Sequence, residues 1–294
     1  MPVRRSALNT IAICIFILAT AIVSRYGYTG DEKIAATIFP LSDIAAHVAG
    51  EGNKVITILS PGADPHTFEL TPQAVKALEC IPIIFMVGHG LDDWVRSVAQ
   101  SLSKAQMRTV DQGIELMESG GKDPHYWLSI TNGKLIAKNI AQALSETNPS
   151  KRSEYQANLD AYLKQLDEAE QSIKNTLSGL AERRMITFHD GWRYFARDYG
   201  LKVIGSIESG NGKEPTPRRL VNLAEIISRE KIKVLFSETT VPQAKAQGMV
   251  DDFHLRLYQL DPLGRKDQSY IELMKANARI VQEALGSGPE NNKS

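Results

Sequence analysis

The segment 149–180 constrains the fold of this chain more than any other. Tyr155, Leu159, Tyr162, Leu163, Leu166, Ala169, Ile173 and Leu177 recur every three or four residues, and Lys, Glu, Asp and Gln fill the opposite face. That period predicts one long amphipathic helix, with Gly179 standing where such a helix stops. At ~1.5 Å of rise per residue it reaches about 45 Å, the size of a small domain. Its heptad spacing drifts, and tyrosines replace the aliphatic residues of a coiled coil, so a strut joining two lobes fits better than a dimerisation arm. A continuous helix also resists the wide hinge closure that flexible linkers permit.

Both sides of this segment carry the same grammar. Short β-rich runs at 34–39, 55–59 and 83–87 precede it, and runs at 185–188, 202–204 and 234–236 follow it, each set alternating with helical patterns. Strands separated by helices imply parallel sheets. Thr71-Pro72 and Thr216-Pro217 each supply an N-cap followed by a first-turn proline. The expected fold is therefore α/β, with two parallel-sheet α/β lobes joined by one long rigid backbone helix. The expected boundaries are 31–148 for the first lobe, 149–180 for the helix and 181–285 for the second lobe. Residues 286–294, rich in Gly, Pro, Glu and Asn, are expected to form a disordered tail.

The first 24 residues read as a signal peptide. Arg4 and Arg5 precede an apolar run, and Ala19-Thr-Ala21 offers the small residues of a cleavage site. The apolar stretch 11–23 is shorter than the roughly 20 residues that span a bilayer. A periplasmic location is expected, ahead of an uncleaved membrane anchor. A lipoprotein is also disfavoured, because the bulky Ile13 precedes Cys14. The other cysteine, Cys80, then has no partner in the mature chain. This excludes a disulfide framework, and Cys80 is expected to be a small buried hydrophobe. Lys plus Arg equals Asp plus Glu at 34 each, so no global field points to nucleic acid and a charged ligand must be captured locally. A monomer is expected.

Three of the six histidines stand in suggestive contexts. His66 and His125 each end an Asp-Pro-His tripeptide, in which proline fixes φ and stiffens the turn that presents the imidazole. His189 directly follows an apolar strand, at the carboxyl end where parallel sheets place ligand sites. Three imidazoles and one carboxylate complete a tetrahedral shell for a borderline ion such as Zn²⁺. The carboxylate candidates are Asp261, which ends the apolar run 257–260 and precedes a proline, and Glu238, which ends the run 234–237. His47, His89 and His254 are expected to be structural, Trp94 and Trp127 to be packing anchors, and Asp190 to cap a helix or else to orient the adjacent His189.

At these residues the chain resembles the metal-binding solute-binding proteins of ABC importers, the zinc and manganese periplasmic-binding or TroA-like family. The matching pieces are Pro61-Gly-Ala-Asp-Pro-His-Thr-Phe-Glu69 followed by Thr-Pro, Gly90-Leu-Asp-Asp-Trp94, Asp123-Pro-His-Tyr-Trp127, Thr187-Phe-His-Asp190 and Glu214-Pro-Thr-Pro217, spread over 34–284. The resemblance implies a metal held in the cleft between the lobes by His66, His125, His189 and Asp261. It also implies a membrane ABC permease as partner and no catalysis.

Members with a manganese preference tend to carry Glu at the third histidine position, so His189 favours Zn²⁺, with Mn²⁺ as the alternative. The chain lacks a His-rich loop between about 104 and 122, unlike many zinc members. Two remote alternatives are a zinc hydrolase, which needs an open fourth position, and a metal-dependent adhesin.

Overall fold

The computed structural model describes residues 33–99, 105–118, 120–208 and 215–286. The expected signal peptide and the tail beyond Gly286 lie outside the described residues. Strands β1 (Lys33–Ala36), β2 (Lys54–Thr57), β3 (Ile83–Met86) and β4 (Gln106–Thr109) form one parallel sheet in the order β2-β1-β3-β4. Strands β5 (Arg184–Thr187), β6 (Lys202–Ser206), β7 (Val234–Glu238) and β8 (Arg256–Leu260) form a second, in the order β6-β5-β7-β8.

The two lobes thus repeat one topology. In such sheets ligands collect beyond the carboxyl ends where the strand order reverses. Here those points lie between β1 and β3 and between β5 and β7.

The central strands are largely apolar and buried, as in parallel sheets covered on both faces. β3 and β7 are buried at every position. β4 was not among the expected strands. It is a four-residue edge strand, Gln-Met-Arg-Thr, whose outer residues face solvent, so no apolar run marks it.

Helices α1 (Phe39–Ala49), α2 (Pro72–Leu78), α3 (Trp94–Ala99) and α4 (Ile130–Thr147) belong to the first half of the chain. A 3₁₀ turn over Pro149–Lys151 then leads into α5 (Arg152–Leu177), the long helix, which has 26 residues. The second half adds α6 (Arg193–Asp198), α7 (Pro217–Glu230), α8 (Gln243–Phe253) and α9 (Tyr270–Gly286). Thr71 and Thr216 cap α2 and α7 as expected, each hydroxyl accepting from the backbone N–H three residues on.

The strut is part of the core. Tyr155, Leu159, Tyr162, Leu166, Ala169, Ile173 and Leu177 are all buried on one face of α5, against α1, α4 and α9. Burial of each large aliphatic side chain stabilises the fold by about 1.5–3 kcal/mol. One hydrophobic cluster runs from Ile34 and Phe85 in the first sheet through this face to Val234 and Phe236 in the second.

Hydrogen bonds between the halves add direction. The Tyr270 hydroxyl reaches Trp127 O at 2.6 Å and Ser129 O at 3.0 Å, and the Tyr270 N–H donates to Asp43 Oδ2 at 2.9 Å. Gly133 makes this possible, because a Cβ there would lie 2.8 Å from the tyrosine oxygen. Trp127 Nε1 donates to Pro262 O at 2.8 Å.

Cys80 is exposed, which corrects the expectation of burial. It lies in the turn after α2, past the last buried residue of that helix, Leu78.

Candidate metal centre

The two Asp-Pro-His tripeptides share a device that their prolines alone did not reveal. In each, the aspartate Oδ1 accepts the backbone N–H of the histidine two residues on, at 2.9 Å for Asp64 and His66 and 3.0 Å for Asp123 and His125. This side-chain turn, with proline fixing the middle residue, presents each imidazole from a closed loop.

Asp123 goes further, since the same oxygen accepts from His125 Nδ1 at 2.8 Å. A carboxylate can only accept here, so Nδ1 carries the proton and Nε2 is left with its lone pair. Tyr194 of α6 fixes this loop from the other lobe. Its hydroxyl accepts from Met117 N and donates to Asp123 O, both at 2.9 Å.

His189 enters from the reversal point of the second sheet. It lies two residues beyond β5, and Glu238, the last residue of β7, lies beside it. Glu238 Oε1 accepts from Trp192 Nε1 at 2.8 Å and lies 3.4 Å from His189 Nδ1. Burial works to raise the Glu238 carboxyl, but His189, His125 and the Trp192 bond overcome it and hold the group below the usual carboxylate range. The buried carboxylate is thereby kept ionised behind the histidine, as Asp123 is placed behind His125.

These turns bring His66, His125 and His189 together, with one ligating atom from each within 4.8 Å of the others. His66 Nε2 lies 3.2 Å from His125 Nε2. The ring centroids are separated by 5.3 Å for His66 and His125, 5.2 Å for His66 and His189 and 4.7 Å for His125 and His189. Burial, together with the adjacent His125 and His189, lowers the His66 pKa to about 3, so this imidazole is neutral at physiological pH. Crowded imidazoles beside a buried carboxylate suit a divalent cation, which binds nitrogen lone pairs and offsets the buried negative charge. Trp127, Pro65, Val241, Pro262 and Leu263 form the apolar walls of the cleft, and Asp64, Glu208, Glu238 and Thr240 are its other polar lining residues.

The structure does not bring Asp261 into the trio. Its Oδ1 accepts from Leu263 N at 3.1 Å, Gly264 N at 2.8 Å and the Thr239 hydroxyl at 3.2 Å, so it closes the Asp261-Pro-Leu-Gly264 turn. The cleft is lined instead by the next two residues, Pro262 and Leu263.

The other histidines lie apart from the trio. His47 stacks on Tyr162 and bonds Asp43 O, while His89 pairs with Asp111 at 2.9 Å. His254 is the left-handed C-cap of α8. Trp94 anchors the first tripeptide by donating to Pro65 O at 3.0 Å. Asp190 was expected to cap a helix, but Trp192 occupies the N-cap of α6 and Asp190 forms a two-point ion pair with Arg193.

Comparison with known proteins gives a consistent picture. The profile of the family described as "Zinc-uptake complex component A periplasmic" matches residues 34–284. The metal ABC transporter substrate-binding lipoprotein FimA of Streptococcus parasanguinis is 28% identical, over 94% of this chain and 96% of its own. The manganese ABC transporter substrate-binding lipoprotein PsaA of Streptococcus mitis is also 28% identical, over 86% of this chain and 89% of its own. A zinc-bound deletion mutant of ZnuA superimposes with a TM-score of 0.79 at 30% identity, covering 88% of this chain and 100% of that one.

Proposed function

We propose that this chain, which belongs to the zinc-uptake complex component A family, carries zinc as its cargo on the Nε2 atoms of His66, His125 and His189. At the coarser level the function is that of the family: the chain captures a divalent metal ion for an ABC importer, and it is a transport component and not an enzyme. It is an exported protein. A soluble periplasmic form is our finer reading, because Ile13 suits lipoprotein processing at Cys14 poorly.

The observation that carries zinc is the all-nitrogen trio. A harder ion such as Mn²⁺ favours oxygen donors, whereas imidazole suits Zn²⁺. The spacing supports a compact shell: Zn–N bonds of ~2.0–2.1 Å in a tetrahedron set the nitrogens roughly 3.3 Å apart, and the His66 and His125 Nε2 atoms are 3.2 Å apart. Asp261 is the fourth donor that the family resemblance nominates. To bind through Oδ1 it would have to release the hydrogen bonds of its turn. The manganese reading draws on the PsaA relatives, which are named for that ion.

Delivery follows from the same geometry. The lobes share a core and are tied through Tyr270, Trp127 and Tyr194, so loss of the ion should loosen ligand loops and leave the lobes in place. The test has two arms. Titration of the metal-stripped protein with Zn²⁺ and Mn²⁺ should give one tight zinc site per chain, much weakened in His189→Ala. Since zinc outranks manganese at most nitrogen sites in a tube, the second arm is growth of a strain lacking the gene. A defect relieved by zinc supports the proposal, and one relieved by manganese alone overturns it.

A further inference from the structure

The three histidines are not held alike. His125 and His189 are buried, and each has a carboxylate near its Nδ1, Asp123 at 2.8 Å and Glu238 at 3.4 Å. Outer partners of this kind fix the orientation of a metal-binding ring. His66 is only half-buried. Among the described residues its ring has one hydrogen-bond contact, to His125 Nε2 at 3.2 Å, and no carboxylate behind it. Its position therefore depends on the loop that carries it.

That loop, 60–70, leaves the sheet where Leu59 N donates to Thr37 O at 2.9 Å. Its own bonds are local: Ala63 N donates to Ser60 O and Thr67 N to Asp64 O, while the Asp64 carboxylate accepts from His66 N and the Thr67 hydroxyl. Such bonds shape the loop without fixing it to the lobe. Apart from the contact between histidines, one hydrogen bond among the described residues ties 60–70 to another part of the chain. It runs from Trp94 Nε1 to Pro65 O at 3.0 Å, one residue before His66. Phe68 meets the same indole edge-on, with ring centroids 4.8 Å apart.

Trp94 is itself firmly mounted. It opens α3 two residues after Asp92, whose buried carboxylate accepts the Thr37 hydroxyl at 2.6 Å and Val87 N and Gly88 N at 2.7 Å each. A fixed indole thus grips a carbonyl beside the least supported of the three histidines.

We propose that Trp94 is the positioning residue of His66, that its indole N–H acting through Pro65 O sets how long His66 stays on the ion, and that His66 is the first of the three to let go. This rests on the proposed metal site and adds to it an order of release. The ion leaves from the side of loop 60–70, while His125 and His189 keep their carboxylate supports.

The experiment follows zinc dissociation into a chromophoric chelator from the full mature chain and from Trp94→Phe, His66→Ala and the double variant. Phenylalanine keeps an aromatic ring against Phe68 and removes the N–H. Loss of one neutral hydrogen bond should speed release roughly 2- to 10-fold. In the His66→Ala background the same substitution should leave the rate unchanged, because the ligand it positions is gone. A merely structural role would speed release equally in both backgrounds; that result, or an unchanged rate in Trp94→Phe, would overturn the proposal. Hydrogen exchange at the indole N–H groups gives a second reading on the unaltered chain, whose three tryptophans donate to Pro65 O, Pro262 O and Glu238. Zinc removal should speed exchange most at Trp94, and a larger change at Trp127 or Trp192 would contradict the order of release. No zinc binding to the unaltered chain would instead defeat the metal site itself, a separate outcome.

Discussion

Replacing Glu238 by glutamine separates support of His189 from support of the fold. The substitution keeps shape and volume, and the amide oxygen can still accept from Trp192 Nε1 at the 2.8 Å position. What is lost is charge. A charged hydrogen bond contributes about 1 kcal/mol more than a neutral one, which argues for a small loss of stability. Against this, a wholly buried carboxylate costs several kcal/mol of desolvation that the amide does not. The metal-free protein should therefore be as stable as the original or more so.

Binding moves the other way. Without the carboxylate, His189 Nδ1 loses the charge of Glu238 beside it, the imidazole is less basic and the cation loses a nearby anion. Loss of such an outer partner weakens metal affinity by roughly 10- to 100-fold, or about 1.4–2.8 kcal/mol. Competition against a chromophoric chelator reads the affinity, and thermal melts with and without zinc read the stability. Zinc affinity within about twofold of the original would refute the positioning role. A large loss of metal-free stability would make Glu238 a structural residue.

Three further outcomes are expected. Tyr194→Phe leaves Met117 N and Asp123 O without their shared partner, so urea denaturation should show a loss of about 1–3 kcal/mol, with zinc affinity reduced through His125. In the metal-free protein, His66 titrates near 6.5 when unfolded and at about 3 when folded. Between these values the unfolded chain holds the extra proton, so stability should fall with falling pH at up to about 1.4 kcal/mol per unit. A flat profile from pH 6 to 4 would contradict this. Zinc at a hundredfold excess over its Kd should stabilise the fold by about 2.7 kcal/mol, reversed by a chelator.

Much of this was legible from local pattern. The seven residues buried on α5 recur at helical spacing in a stretch too long to be ambiguous, and the caps at Thr71 and Thr216 depend only on neighbours in sequence. The three histidines stood out because each follows a rigid turn or a strand end. The carboxylates were harder. Asp261 and Glu238 both end apolar strands, and only the tertiary arrangement separates a turn-closing aspartate from a glutamate beneath His189. Glu208 follows a strand whose pairing with β5 must be known before its position means anything, and Cys80 carries no sign that its helix ends before the core is reached. The Asp-Pro-His turns lie between: the prolines marked them, but the closing hydrogen bond from each aspartate appears only in three dimensions.

The central claim is that three imidazoles from two lobes meet on one ion, and X-ray absorption at the zinc edge of the loaded protein tests it most directly. The expected result is one zinc per chain with four light-atom donors at ~2.0–2.1 Å and the outer-shell scattering of three imidazole rings, falling to two rings in His66→Ala, His125→Ala or His189→Ala. A shell with fewer than three imidazoles in the unaltered protein, or one unchanged by any of these substitutions, would contradict the account.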